Sequence, residues 1–421
     1  MKVLVYEPGH GGHRLNYVRL VIAALLDIGV KPTLAVTQKA MDSEDFKENI
    51  KCYADLVDFE GIGDAVEGLG VSRSKLALVS FPIKQFNILN DTLDRVRPDH
   101  VLIPTAGQLM WAFAYKKLFL RKFKIPQPVI EALFLGPGHG YDFTEFKRRV
   151  SNPAIEWVSR RMPIKSYFHA DPYQLKFMAK GQADPEKFVV MPDPVPKVQH
   201  VPSKVARESL KIPTDGRYIG ICGGISAAKG VHDLVHAFKL ALPELSLTDR
   251  LLFAGAFDDE TRKFVFQENR DLVESQRIVA IDKFLSGEEM DLALNAMDLF
   301  CVAQQGRPGS SGTLLRAIVA GKPVLARDRF WSGRITKEFH LGWVSETWNH
   351  GKFSKSLLQC LAEIDDFEFL PKSHLFMQFH SEQNFQATWL KNIRQRMGLP
   401  PDVEMKQWSA VEKLVSDENR K

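Results

Sequence analysis

The sequence predicts an α/β protein built from two Rossmann-like, doubly wound parallel-sheet domains. Three observations carry this. Strand-like and helix-like segments alternate from the first residues onward, and parallel strands need such crossovers. The alternation breaks at a proline-rich stretch, residues 192–211, and then restarts. Both halves open in the same way, with a short apolar strand, a Gly-Gly loop and an amphipathic helix.

In the first half, residues 2–6 read as a buried strand. A helix over 15–28 follows, stopped by Gly29. Further strands are expected at 31–36, 76–79, 101–104, 128–135, 166–168 and 188–191. The segment MPDPVPKVQHVPSK holds four prolines and little apolar periodicity, so residues 196–212 read as a linker. In the second half, strands are expected at 218–222, 251–255, 278–280, 299–302 and 323–326, with a helix over 231–241. The tail carries two amphipathic helices. Phe385, Trp389, Ile393 and Met397 share one face of the first. Domains are thus expected at 1–195 and 213–380, followed by the tail helices of 381–421. Tandem sheets of this kind bind ligands outside the carboxyl ends of their strands, which places a ligand cleft between the two.

Composition narrows the function classes. The chain has 421 residues, 45% of them apolar and 25% charged, enough for two buried cores. A net charge of +5 is too diffuse to predict nucleic-acid binding, though it suits an anionic ligand. Cys52, Cys222, Cys301 and Cys360 are far apart and form no CxxC pair, so neither a zinc site nor a redox motif is expected. Reduced core thiols favour a cytoplasmic location. The opening apolar run is short for a signal peptide, and no stretch is long enough for a membrane span. Residues 111–124, WAFAYKKLFLRKFK, interleave basic with aromatic and leucine residues. They leave peripheral membrane contact open beside the plainer reading of an ordinary amphipathic helix.

Three loops carry the candidate chemistry. The first contains Gly11 and Gly12, where adjacent glycines allow close backbone approach and a helix follows. Arg14 stands where a dinucleotide fingerprint would need its third glycine. The second is GGISAAKG, with Gly224 and with Lys229 just before a helix. A cation is unfavourable there unless an anion compensates it. The third runs through Ser310, Ser311, Gly312 and Thr313 into a helix, exposing consecutive N–H groups and hydroxyls. His10, His13 and His139 lie in glycine-rich loops, and His139 is the candidate acid–base catalyst. No HExxH, GxSxG or Asp-x-Asp motif occurs, so no metal is assigned.

These residues resemble the GT-B glycosyltransferases of the retaining, glycogen-synthase- and sucrose-synthase-like group. IGICGGISAAKGVHDLVHAF is similar to that family's strand, "G…KG" loop and helix. SSGTLLRAIVAGKPVLA is similar to its "GxxxLEAMAxGxPVVA" block, and VVMPDPVP to its "VIPNGV" segment. The resemblance implies transfer of a sugar from a nucleotide diphospho-sugar to a sugar, lipid-linked or small-molecule acceptor. It implies retention of configuration, no obligatory metal, no cofactor beyond that substrate, and tail helices of 381–421 that cross back to pack on the first domain. It also exposes departures. The arginine expected five residues before Lys229 is Gly224, and the two donor-loop glutamates fall on Pro308 and Arg316. Arg316 or Arg307 is expected to restore the missing positive charge. The lost acids also support another reading, a catalytically impaired homologue acting as a binding or assembly subunit.

Overall fold

The structure is a computed structural model describing residues 1–9, 11, 13–63, 75–110, 113, 128–135, 153, 156–157, 159–306, 308–403 and 405–418. The chain divides into two compact units. One comprises Met1–Pro194 with Glu382–Met405, the other Val195–Ser381 with Lys406–Lys421. Each is a doubly wound α/β unit around its own parallel sheet.

The first sheet has seven strands in the order β3-β2-β1-β4-β5-β6-β7. They are β1 (Val3–Glu7), β2 (Thr33–Thr37), β3 (Asp58–Ile62), β4 (His100–Ile103), β5 (Val129–Leu133), β6 (Ser166–His169) and β7 (Phe188–Val190). Every pairing is parallel, with Val5 opposite both Leu34 and Leu102. Helix α1 (Arg14–Asp27) covers one face through Leu15, Val18, Val21, Ile22 and Leu25. Helix α2 (Lys75–Val96) covers the other through Phe86, Leu89, Leu93 and Val96. The strand expected at 76–79 is therefore the first turn of α2. A four-residue apolar run carries no period of its own, and the downstream apolar positions recur at helical spacing. The strand in this part of the sheet is instead β3, DFEGI, whose mostly exposed residues gave it no apolar signature.

The second sheet has six parallel strands in the order β10-β9-β8-β11-β12-β13. They are β8 (Tyr218–Cys222), β9 (Arg250–Ala254), β10 (Ile278–Ile281), β11 (Leu299–Val302), β12 (Val324–Arg327) and β13 (Gly342–Ser345). Residues 196–212, expected as a linker, contain the helix α3 (Ser203–Ser209) and fold with this unit. The buried Arg207 explains why. Its guanidinium donates to the carbonyls of Ala296, Thr214 and Gly216 and pairs with Asp298 at 2.7 Å. The remaining helices of the unit include α4 (Val231–Ala241), α5 (Gly287–Ala296), α6 (Gly312–Val319), α7 (Phe330–Glu338), α8 (His350–Glu363) and α9 (Pro371–Phe379).

The tail divides between the units. Helix α10 (Glu382–Arg396) lies against α1, with Trp389 fully buried, edge-on to Phe168 at 4.8 Å and near Phe385 at 6.2 Å. Asn392 reaches the buried Glu131 and donates to Ser166 Oγ at 3.1 Å. Helix α11 (Trp408–Glu418), the second helix expected on the first domain, packs on α9 instead. Trp408 sits among Phe339, Phe376 and Phe379. Among the described residues, no helix is long and apolar enough to cross a membrane.

Removing a buried indole leaves a cavity as well as losing apolar contact. Trp389→Ala is expected to destabilise the first unit by about 3–5 kcal/mol in denaturant unfolding. A loss under about 1 kcal/mol would mean that α10 is not part of that core.

Candidate functional site

In each sheet the strand order reverses at one place, between β1 and β4 in the first and between β8 and β11 in the second. Ligands of open parallel sheets bind outside the carboxyl ends of the strands at such points. The residues singled out in the second half collect there.

Strand β8 ends at Cys222, and the chain turns through Gly223 with φ +96°. Gly255, at the end of β9, has φ +145°, and a Cβ on it would lie 1.7 Å from the Gly223 carbonyl oxygen. The two turns thus touch backbone to backbone, and only glycine fits at 255. The contact is fixed by Gly223 N–H donating to Ala254 O at 3.0 Å and Ile225 N–H to Ala256 O at 2.9 Å. Gly224 faces open space on its Cα. The loop continues through Lys229 to Gly230, at φ +83°, where a Cβ would meet the Ala303 carbonyl oxygen at 2.5 Å. This second close approach sets the start of α4 against the end of β11.

The loop after β11 is tied to the loop after β8. Gln305 N–H donates to Ala228 O at 2.9 Å, and its side chain donates to Asp233 at 2.7 Å. Gln304 Nε2 reaches Ser311 Oγ at 3.4 Å. Ser311 caps α6 by accepting from Leu314 N–H, and its hydroxyl lies 3.3 Å from that of Thr313. Thr313 Cγ2 would lie 3.5 Å from a Cβ at Gly223, so the two loops meet. Gly312 and Thr313 occupy the first turn of α6, whose N–H groups have no partner inside the helix. Ser310, half-buried, precedes the cap. Burial pushes the Cys222 thiol up to about 12, while the charges of Arg316 and Lys229 oppose this.

Arg316 does not stand as an open charge at the loop. Its Nε and Nη2 donate to Asp291 Oδ1 at 2.9 and 2.6 Å, and Nη2 also donates to Gly287 O at 2.7 Å. Asp291 in turn accepts from Gln199 N–H at 3.2 Å. Where the resemblance expects an acid from α6, this chain has a cation held by an acid from α5.

At the first switch point, sequence reasoning missed Glu7. It is the last residue of β1 and fully buried. Its carboxylate accepts from Gly9 N–H at 2.9 Å, Arg14 Nη1 at 3.2 Å and Thr105 Oγ1 at 2.6 Å. Burial outweighs these three donors and pushes the carboxyl up to about 7. The Arg14 guanidinium lies so close over Gly9 that a Cβ there would fall 2.3 Å from Nη1. The sequence signal was a lone acid closing an otherwise apolar strand just before a glycine loop. Nearby, Tyr17 donates to Asp193 at 2.6 Å, and its ring lies tilted against that of His13 with centroids 4.8 Å apart. Burial holds the His13 imidazole below its usual range, with Asp193 opposing. Gly11 takes φ +84° in the same loop. His10, Gly12, Arg307, His139 and most of residues 111–124 lie outside the described residues. Among the described residues no three His, Cys, Asp or Glu side chains form a metal-binding group.

Comparison with known proteins adds to this geometry. Residues 216–363 match the family described as Glycosyl transferases group 1. No curated protein sequence matches the chain. Among solved structures, the chain is similar to Alr3699/HepE from Anabaena in complex with UDP and glucose. That match has 13% identity, covers 94% of this chain and 100% of that one, and has a TM-score of 0.61. It is similar to sucrose-phosphate synthase (tll1590) from Thermosynechococcus elongatus, at 13% identity, 94% and 99% coverage, and TM-score 0.67. It is also similar to the lipopolysaccharide outer core galactosyltransferase WaaB in its apo form, at 14% identity, 94% and 100% coverage, and TM-score 0.62. Residues 216–363 therefore carry a group 1 glycosyltransferase domain, and the chain has the two-sheet GT-B fold of these structures.

The buried Glu7 has a measurable consequence. Between pH 4.5, the ordinary carboxyl value, and about 7 the folded chain keeps a proton that the unfolded chain releases. Folding stability then falls as pH rises through that window, by about 3 kcal/mol from this group. Glu7→Gln is expected to flatten the decline in pH-dependent unfolding. Parallel curves for the two proteins would show that Glu7 ionises as an ordinary carboxyl.

Proposed function

We propose that the chain moves a sugar from a nucleotide diphospho-sugar to an acceptor hydroxyl, with retention of configuration and without an obligatory metal. The observation that carries this is the meeting of the Gly223–Lys229 loop with the capped start of α6 at the second switch point. Breaking the bond between the sugar and the diphosphate leaves negative charge on the departing group. Lys229 and the N–H groups of Gly312 and Thr313 would meet that charge, with Ser310, Ser311 and Thr313 adding hydroxyls. These donors are preset by the two glycine contacts, so little reorganisation is needed as the charge develops. That HepE is solved with UDP and glucose, and with UDP-glucose, makes a uridine donor the first to test.

The Arg316–Asp291 pair changes the expected ribose end of the site. The ribose hydroxyls would find no lone carboxylate on α6, because position 316 is a cation already held by Asp291. Arg316 acts here as a clamp between α5 and α6, and its removal would leave Asp291 without its cation. Its effect on donor binding is then indirect, through the placement of α6.

A panel of UDP-, GDP- and ADP-sugars, assayed for nucleotide release with a cell-extract acceptor pool, tests the reaction. Turnover of at least one donor, unchanged by EDTA and giving a product of the donor's anomeric configuration, is the expected result. Binding without turnover of any donor would favour the binding-subunit reading. Lys229→Ala is expected to weaken binding of the matching nucleoside diphosphate by about tenfold or more, measured by calorimetry, since a charge-assisted contact is lost. Unchanged affinity would remove Lys229 from the diphosphate site.

A further inference from the structure

We propose that Arg327, Arg329 and Trp348 form a separate oxyanion-binding subsite on the second unit, beside the donor loops, taking a monophosphate group. The placement follows from register. Arg327 is the last residue of β12 and pairs with Ser345 of β13, while its neighbour Ala326 pairs with Val302 of β11. Arg327 therefore stands one residue past the end of β11, level with the Ala303 that abuts Gly230. Arg329 follows as the residue before α7, and Trp348 lies in the loop after β13. All three are at the carboxyl end of the sheet, where such folds hold ligands.

The arrangement is costly as it stands. Both guanidinium groups lie over the same indole, Arg327 at 4.9 Å and Arg329 at 4.5 Å from the ring centre. Arg327 Nε and Nη1 are buried and have no hydrogen-bond partner among the described residues. The indole face attracts a cation but accepts none of the in-plane N–H bonds of a guanidinium. The neighbouring acids are engaged elsewhere. Asp328 pairs with Lys337 at 2.7 Å, Glu346 pairs with Lys352, and Asp233 binds Gln305 and His350 at 2.7 and 3.0 Å. Asp233 reaches Arg327 only through its field. Burial, with Arg329 adding to it, holds the Arg327 guanidinium below its usual range. Two like charges brought together, with buried donors unmet, are a poor use of stability unless an anion completes them. A phosphate group offers several in-plane acceptors to two such forks. The site is open to it, because Arg329 is exposed and Trp348 is 39% exposed.

The subsite is distinct from the donor diphosphate contacts, so the two should fill independently. Calorimetry on the full chain tests this, using inorganic phosphate, a hexose monophosphate and the unphosphorylated hexose at constant ionic strength, with and without saturating UDP. The expected result is one phosphate-dependent site that persists under UDP, no binding of the plain hexose, and about tenfold weaker phosphate binding in Arg329→Ala. Arg329 is exposed, so this variant should fold, and an unchanged UDP affinity confirms that it has. Tighter binding of the hexose monophosphate than of free phosphate would mean that the group arrives on a sugar. Equal binding would mean a free ion. The proposal is overturned if UDP expels the phosphate, if neither phosphate probe binds, or if Arg329→Ala and Arg329→Glu bind like the wild type. Failure of UDP itself to bind would instead count against the donor reading and leave the phosphate result to be read alone.

Discussion

The second unit depends on a contact that admits no side chain. At Gly255 a Cβ would overlap the Gly223 carbonyl oxygen, and at Gly230 one would overlap Ala303. Both glycines have positive φ, so sterics and backbone conformation demand the same residue. Because these turns touch, the loop after β8 is held at a fixed height above the sheet. Because Ala228 accepts from Gln305, the loop after β11 is fixed against it. The loop that carries Lys229 and the loop that leads into α6 are thus held by backbone contacts.

The first unit solves the same geometry differently. Its switch point is closed by a buried carboxyl, with Arg14 and Thr105 as donors, in place of a second glycine contact. Arg14 also donates to Thr105, so three residues from the ends of β1 and β4 and the start of α1 form one unit of charge and hydrogen bonds. The result is a carboxyl poised near neutrality rather than a preset cradle of N–H groups.

Much of this was legible in the sequence. Strands made of apolar runs, such as YIGIC and LFCV, declared themselves, as did Gly-Gly turns followed by amphipathic helices. The edge strands β3 and β13 did not, because an edge strand with half-exposed or exposed residues lacks an apolar run. The proposed phosphate end was readable as a pattern, because small residues running into a helix expose consecutive N–H groups and hydroxyls. The pairing of Arg316 with Asp291 was not readable. The two lie on different helices, and only packing shows that the cation at 316 is answered by an acid from α5. Glu7 was hidden for a similar reason, since its significance comes from burial and from the three donors that the fold gathers around it.

The most direct measurement of the central claim is a structure of the chain with UDP bound. The account predicts the β-phosphate within hydrogen-bond distance of the Thr313 backbone N–H and of Lys229 Nζ, over the Gly223–Gly224 turn. A nucleotide bound elsewhere, with those two groups untouched, would contradict it.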